Sequence, residues 1–339
     1  MLMVTMLHAL GKSDLLRPME PSLSANGWIA WIFETLSIGA VNIFMLITGY
    51  FLVDSRFKPR RFVSLIMQTV FYSAGAFLVF FALGLLTAEE RDIYHILQYL
   101  LPVHMDVFWF MTAYITVYMV IPLISAGLKA LSAKRLGTMI ICLVAYQSLF
   151  KTVLPFALAV DDKGYSFLWY LTVALIGAYL KLFGFKHLTT SVKGTLLYIL
   201  SAVLILAESI LLQLISARTG RLTDLLRVSY GYNHLLVLTL SLGIFAALVK
   251  AKPIGGIASK VICAISPFVL GVYLLQENMV LRYRWQDWFL LRDSFDKPVG
   301  TFVFRLLAAV IVMFAAGIAV DFVRSLIFGA VGRIVPKKD

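Results

Sequence analysis

Of the five histidines in the chain, His8 alone is embedded in an apolar run (MLMVTMLHAL, residues 1–10). A neutral imidazole in a partly dry site can take a proton from a hydroxyl, and a neighbouring carboxylate can orient the ring and stabilise the imidazolium. Glu34, inside a second apolar run, is a carboxylate of the right kind for that partnership. Glu208, Glu277 and Arg305 are the other ionisable residues that interrupt apolar runs. Charge in hydrocarbon is expensive and turns toward a cavity or a partner. Counted along their runs, all five groups fall in the outer half of the membrane, which implies a polar cavity opening outward. His8, Glu34 and Arg305 are expected to line it, with Glu277 and Asn278 as further parts of the wall. The structural alternative is that Glu208 or Glu277 snorkels or pairs with Arg305 for stability alone.

A second chemical signal is cationic. Arg56-Phe57-Lys58-Pro59-Arg60-Arg61 packs four cations into six residues between two apolar runs. Such a loop anchors to anionic headgroups, or it clamps phosphate, whose oxygens the arginine fork matches. No nucleophile elbow, zinc helix, P-loop or dinucleotide fingerprint occurs in the chain. Cys142 and Cys263 lie in separate apolar runs with neither metal-ligand nor disulfide spacing. No metal and no permanently bound cofactor is expected.

The elements that must hold these groups are membrane helices. The chain has 339 residues, 61% hydrophobic and 14% charged, with a mean hydropathy of +0.90. Soluble domains carry about 45–50% apolar and about 25% charged residues, so only a bilayer can accommodate this composition. A span needs about 20 apolar residues. Runs of that kind cover 28–53, 62–86, 107–127, 136–158, 166–185, 194–216, 233–250, 258–281 and 300–323. Residues 1–10 are half a span, read as the outer half of a first helix whose beginning precedes Met1. The expected fold is all-α: one domain over 1–339, a polytopic bundle of about ten transmembrane helices. Segment 88–105 is too polar to cross and reads as an interfacial amphipathic stretch. With a cytoplasmic N-terminus, the inner loops hold the larger share of lysine and arginine, the asymmetry that sets orientation. The net charge of +12 therefore reflects topology and not nucleic-acid binding.

Asn42-Ile43-Phe44-Met45-Leu46-Ile47-Thr48-Gly49-Tyr50-Phe51-Leu52 resembles the Phe-x-x-Ile-Ser-Gly-Tyr signature of the acyltransferase family 3 membrane proteins. Further features follow in the family's order. Leu7-His8 ends the first span, and the basic loop follows the second. Phe108-Trp109-Phe110 leads to Tyr114 and Pro122, and Gly271-Val272-Tyr273-Leu274-Leu275 runs into Gln276-Glu277-Asn278 and later Trp285. The resemblance spans essentially the whole chain. It implies acyl transfer, often O-acetylation, from cytoplasmic acyl-CoA to a hydroxyl of a surface carbohydrate or lipid-linked glycan. His8 matches the family's first-span histidine and would act as general base or as transient acyl carrier, with Glu34 beside it. Lys58, Arg60 and Arg61 would hold the coenzyme; Lys58 and Arg61 keep the Arg-x-x-Arg spacing. Trp109, Tyr114, Glu277, Asn278 and Arg305 would contact substrate. The expected partners are acyl-CoA, the glycan acceptor and membrane lipids. The expected location is the cell (cytoplasmic) membrane, multi-pass, of a bacterium.

The competing reading is a transporter or flippase of a polar or lipid-linked solute, which outer-half charges and many helices would also suit. Against it, the two halves of the sequence show no internal repeat and no matched pair of Gly/Pro-broken spans.

Overall fold

The computed structural model describes residues 1–18, 23–153 and 163–334, and among them every regular element is helical. In chain order the first six helices are α1 (Leu2–Gly11), α2 (Ala25–Ser37), α3 (Ala40–Leu52), α4 (Pro59–Ala82), α5 (Ile93–Leu100) and α6 (Trp109–Ala130). Next come α7 (Ala133–Val144), α8 (Phe150–Val153), α9 (Phe167–Phe183), α10 (Ser191–Thr219) and α11 (Leu235–Val249). The last are α12 (Gly256–Ile265), α13 (Val269–Gln276), α14 (Trp285–Trp288), α15 (Leu291–Ser294) and α16 (Val299–Ile334). Several starts are dictated locally. Ser24, Asp92, Ser132, Ser166 and Thr190 each accept a backbone N–H of the first turn that follows, satisfying a donor that the helix itself leaves free.

Among the described residues, seven stretches are long and apolar enough to cross a membrane: Ala25–Leu52, Pro59–Ala82, Trp109–Ala130, Ser191–Thr219, Val228–Val249, Gly256–Gln276 and Val299–Ala330. Two shorter apolar helices, α1 and α9, complete the described set. At 1.5 Å per residue the 17 residues of α9 cover about 26 Å, and α1 about 15 Å. The expected 136–158 run is helical from α7 through a π-turn at Ala145–Leu149 to α8; the rest of it, with Asp161 and Asp162, lies outside the described residues.

The helices form two compact units, each discontinuous in sequence. The first comprises Met1–Leu15, Ser64–Phe108 and Pro253–Asp339; the second comprises Leu16–Val63 and Trp109–Lys252.

In the first unit α1 packs on α13 and α16, and α13 lies along α16. A side chain at Gly317 would strike the Val272 backbone, and one at Gly271 would strike Tyr72 and Asp321, so these glycines set the closeness of α13 and α16. Asp321 is fully buried. Arg324, one turn on, meets it with two bonds of 2.7 and 3.0 Å. Gln68 and Tyr72 of α4 donate to the same carboxylate at 2.8 and 3.1 Å. A charge at that depth is tolerable because every oxygen is engaged. Segment 88–105 contains α5, on which Ile93, Tyr94, Leu97 and Leu100 are exposed while Tyr99 is buried with Leu86 and Val280. Its ring sits 4.6 Å from that of Phe77. One apolar face turned outward is the interfacial pattern that the segment's composition implies.

In the second unit the main pairs are α10 with α11 and α3 with α9. A Cβ at Gly49 would meet the Ala174 carbonyl and one at Gly177 the Leu46 carbonyl, so α3 and α9 cross backbone to backbone. Asn42 spans the same region: its amide donates to the Tyr232 carbonyl at 2.8 Å and its oxygen accepts from Trp169 at 3.0 Å. Half of the α3 signature is thus packing chemistry.

Candidate active site

In the first unit, α1 presents His8 and, four residues on, Lys12 on the same side of the helix. The end of α13 brings Gln276 and Glu277 against them. The His8 Nδ1 lies 3.2 Å from Glu277 Oε1, and the Lys12 ammonium pairs with the same carboxylate oxygen. Both acid and base are well buried, with side-chain exposures of 15% for His8 and 7% for Glu277. The fully buried Gln276 amide and the Tyr273 ring, its centroid 6.3 Å away, also stand beside the imidazole. With Nδ1 turned to Glu277, a neutral ring carries its lone pair on Nε2. One carboxylate thereby orients the imidazole and offsets its charge on protonation, and the Lys12 ammonium balances the charge of that carboxylate.

The other expected wall residues of this unit have different partners. Asn278 donates to the Tyr72 carbonyl at 2.8 Å and accepts from the Val280 N–H at 2.9 Å, so it locks the chain that leaves α13. Arg305 is half-buried near the start of α16, its guanidinium 3.4 Å from the Leu290 carbonyl.

Glu34, Lys58, Arg60, Arg61, Trp109 and Tyr114 all belong to the second unit. Lys58, Arg60 and Arg61 are exposed. Arg61 lies over the Tyr118 ring at 5.6 Å and beside Tyr114, and the Tyr118 hydroxyl accepts the Lys58 N–H at 3.3 Å. The loop is held at its base while its cations face outward. Lys129, at the end of α6, pairs with Asp54 at 3.0 Å, which ties the α6–α7 turn to the loop's entrance. Trp109 stacks on Tyr170 and Tyr232 at 5.8 and 5.9 Å and meets Tyr165 edge-on at 4.5 Å. Glu34 is buried, faced by Arg227 and Tyr230. The same unit holds a second histidine–glutamate pair: His234 Nε2 is 3.4 Å from Glu208 Oε1, with the histidine fully buried.

The family model described as an acyltransferase domain matches residues 1–321, nearly the whole chain. The chain belongs to acyltransferase family 3. No curated protein and no solved structure matches it. The match and the run of apolar helices together make it a polytopic, all-helical membrane acyltransferase.

For this acyltransferase the acid at His8 is Glu277, because α13 packs against α1 and stops one residue short of it. Lys12 went unread in the sequence, although its signal was there: a cation four residues after the histidine shares its helix face.

Proposed function

We propose that this acyltransferase moves an acyl group, acetyl in the simplest case, from cytoplasmic acyl-CoA to a hydroxyl of an extracytoplasmic or lipid-linked carbohydrate. The observation that carries the chemistry is His8 beside the buried, lysine-paired Glu277. In this reading His8 Nε2 takes the proton of the acceptor hydroxyl as its oxygen attacks the thioester carbonyl. The C–O bond forms, the C–S bond breaks, and the proton passes from the imidazolium to the departing thiolate. Glu277 holds the ring and stabilises the imidazolium in between. The exposed Lys58, Arg60 and Arg61 take the coenzyme's phosphates. Substrate contacts by Trp109, Tyr114 and Arg305, and a catalytic role for Glu34, are part of the same proposal. On this reading the protein works in a bacterial cell membrane.

The test is His8→Gln in purified protein supplied with acetyl-CoA. Gln keeps polarity and some hydrogen bonding but has no basic nitrogen. Transfer is expected to fall by about 10²–10⁴-fold, the usual worth of a general base, with coenzyme affinity nearly intact. Folded His8→Gln protein working within a few-fold of wild type would place the chemistry elsewhere.

A further inference from the structure

Lys12 is held from three directions, all within the first unit. Its backbone N–H donates to the His8 carbonyl at 3.2 Å, closing the last turn of α1. Its carbonyl accepts from Arg292 at 3.5 Å. Its ammonium meets the Glu277 oxygen that also faces the His8 ring. On its other side stands the Tyr283 ring at 5.4 Å, part of the wall of an open pocket of about 300 Å³. A lysine at a helix C-terminus ordinarily turns its charge to the last carbonyls or to water. Here the side chain is only 16% exposed, and its charge is spent on the carboxylate of the histidine.

We propose that Lys12 is a positioning residue for acyl transfer, whose charge lets Glu277 orient His8 without drawing a proton onto the ring. This role rests on His8 being the base that activates the acceptor hydroxyl. A buried histidine facing a buried carboxylate by itself holds a proton at rest, because the pair then balances its own charge. That proton sits on the imidazole, or on the carboxyl with the neutral ring accepting through Nδ1. In either arrangement Nε2 carries hydrogen and has no lone pair to offer. Lys12 supplies the balancing charge instead. Arg282, anchored by Nη2 on the Val107 carbonyl at 3.1 Å, is a second cation that acts on His8, Lys12 and Glu277 alike. Two cations against one carboxylate leave no charge deficit for a proton to fill. Of the other groups on the elements packed here, Tyr273 presents its ring to His8 and Arg292 pairs with Asp14 at 3.6 Å. Arg305 of α16 turns to the Leu290 carbonyl at 3.4 Å.

The test reads the state of the ring without the transfer reaction. Diethyl pyrocarbonate acylates an imidazole only through an unprotonated ring nitrogen, releasing ethanol and carbon dioxide. Its rate at His8 is followed from pH 5 to 9 in the purified full chain by peptide mass spectrometry, with His95 as the internal control. In Lys12→Met, which keeps the length of the stem and removes the charge, the pH of half-maximal labelling at His8 is expected to rise by about 1 pH unit or more, as loss of a neighbouring cation requires. Lys12→Arg should restore the wild-type midpoint, and His95 should not respond to either change. If Lys12→Met does not fold, the same comparison is made where no carboxylate is left unpaired: Glu277→Gln/Lys12→Met should show a higher midpoint than Glu277→Gln. A midpoint at His8 that ignores Lys12, or wild-type His8 that is never labelled, overturns the proposal. A shifted midpoint in a protein whose His8→Gln variant still transfers the acetyl group would sink the base reading and leave the charge balance standing.

Discussion

Among the described residues there are two histidine–glutamate pairs, one in each unit, at nearly equal separations: His8–Glu277 at 3.2 Å and His234–Glu208 at 3.4 Å. Their surroundings differ. In the first the carboxylate also holds a lysine, the imidazole keeps some exposure, and a pocket adjoins. In the second the histidine has no exposure at all. A base is useful only where a substrate proton can reach it, and its carboxylate only where something keeps it charged. Distance between the two partners is therefore a poor guide to catalysis; access and the third charge separate the pairs.

The comparison breaks if the two glutamates respond alike. Glu277→Gln should lower transfer by roughly 10²-fold, because it removes the group that orients His8 and offsets its charge. Glu208→Gln should change the rate no more than a few-fold. Equal losses in matched kinetic assays would mean that the surroundings do not discriminate.

A smaller effect sharpens the role of the second unit. Under the proposed function its contribution is the cationic loop and not its histidine pair. Replacing Arg60 and Arg61 together by Ala should weaken acetyl-CoA binding by about tenfold or more, since a charge-assisted bond is worth roughly 1.5–3 kcal/mol. Calorimetric titration that finds unaltered affinity would leave the loop only its role in topology.

The smallest expected effect is a pH dependence in the first unit, outside the histidine pair. Thr87 and Glu90 bond each other's N–H groups, at 2.8 and 3.3 Å, and Glu90 also meets Arg284 at 3.0 and 3.1 Å. Desolvation pushes the Glu90 carboxyl up, but the Thr87 N–H and the Arg284 guanidinium outweigh it and hold it below its ordinary value of 4.5. A carboxyl depressed in the folded state contributes stability above its unfolded value and loses it as pH falls toward the folded one. Thermal unfolding followed from pH 7 downward should show Glu90→Gln converging with wild type below about pH 4.5. A constant gap across that range would assign the tie a packing role only.

The spans were legible in the sequence because hydrophobicity adds up over a window of about 20 residues, whatever the neighbours are. His8 stood out as a candidate for a related reason: an ionisable group in an apolar run is visible one residue at a time. Its carboxylate did not. Lys12 and Glu277 are 265 residues apart in the chain, and only the packing of α1 on α13 brings them together. Glu34 has the depth and chemistry expected of a partner for His8, and its own neighbours in the second unit are Arg227 and Tyr230. The motif at 42–52 was visible as a pattern, but its meaning as a backbone crossing at Gly49 required α9 to be in place.

The buried Asp321 bears on how the protein is made. A buried charge on a membrane-spanning helix is expensive, and α16 is synthesised long after α4. Arg324 lies three residues further along the same helix, so α16 brings its own counter-ion and enters the bilayer electrically balanced at that level. It need not wait for another helix to neutralise it. Gln68 and Tyr72 then have a preformed acceptor to find, and α4 can close on α16 as a late step in assembly, after both helices are already in the membrane.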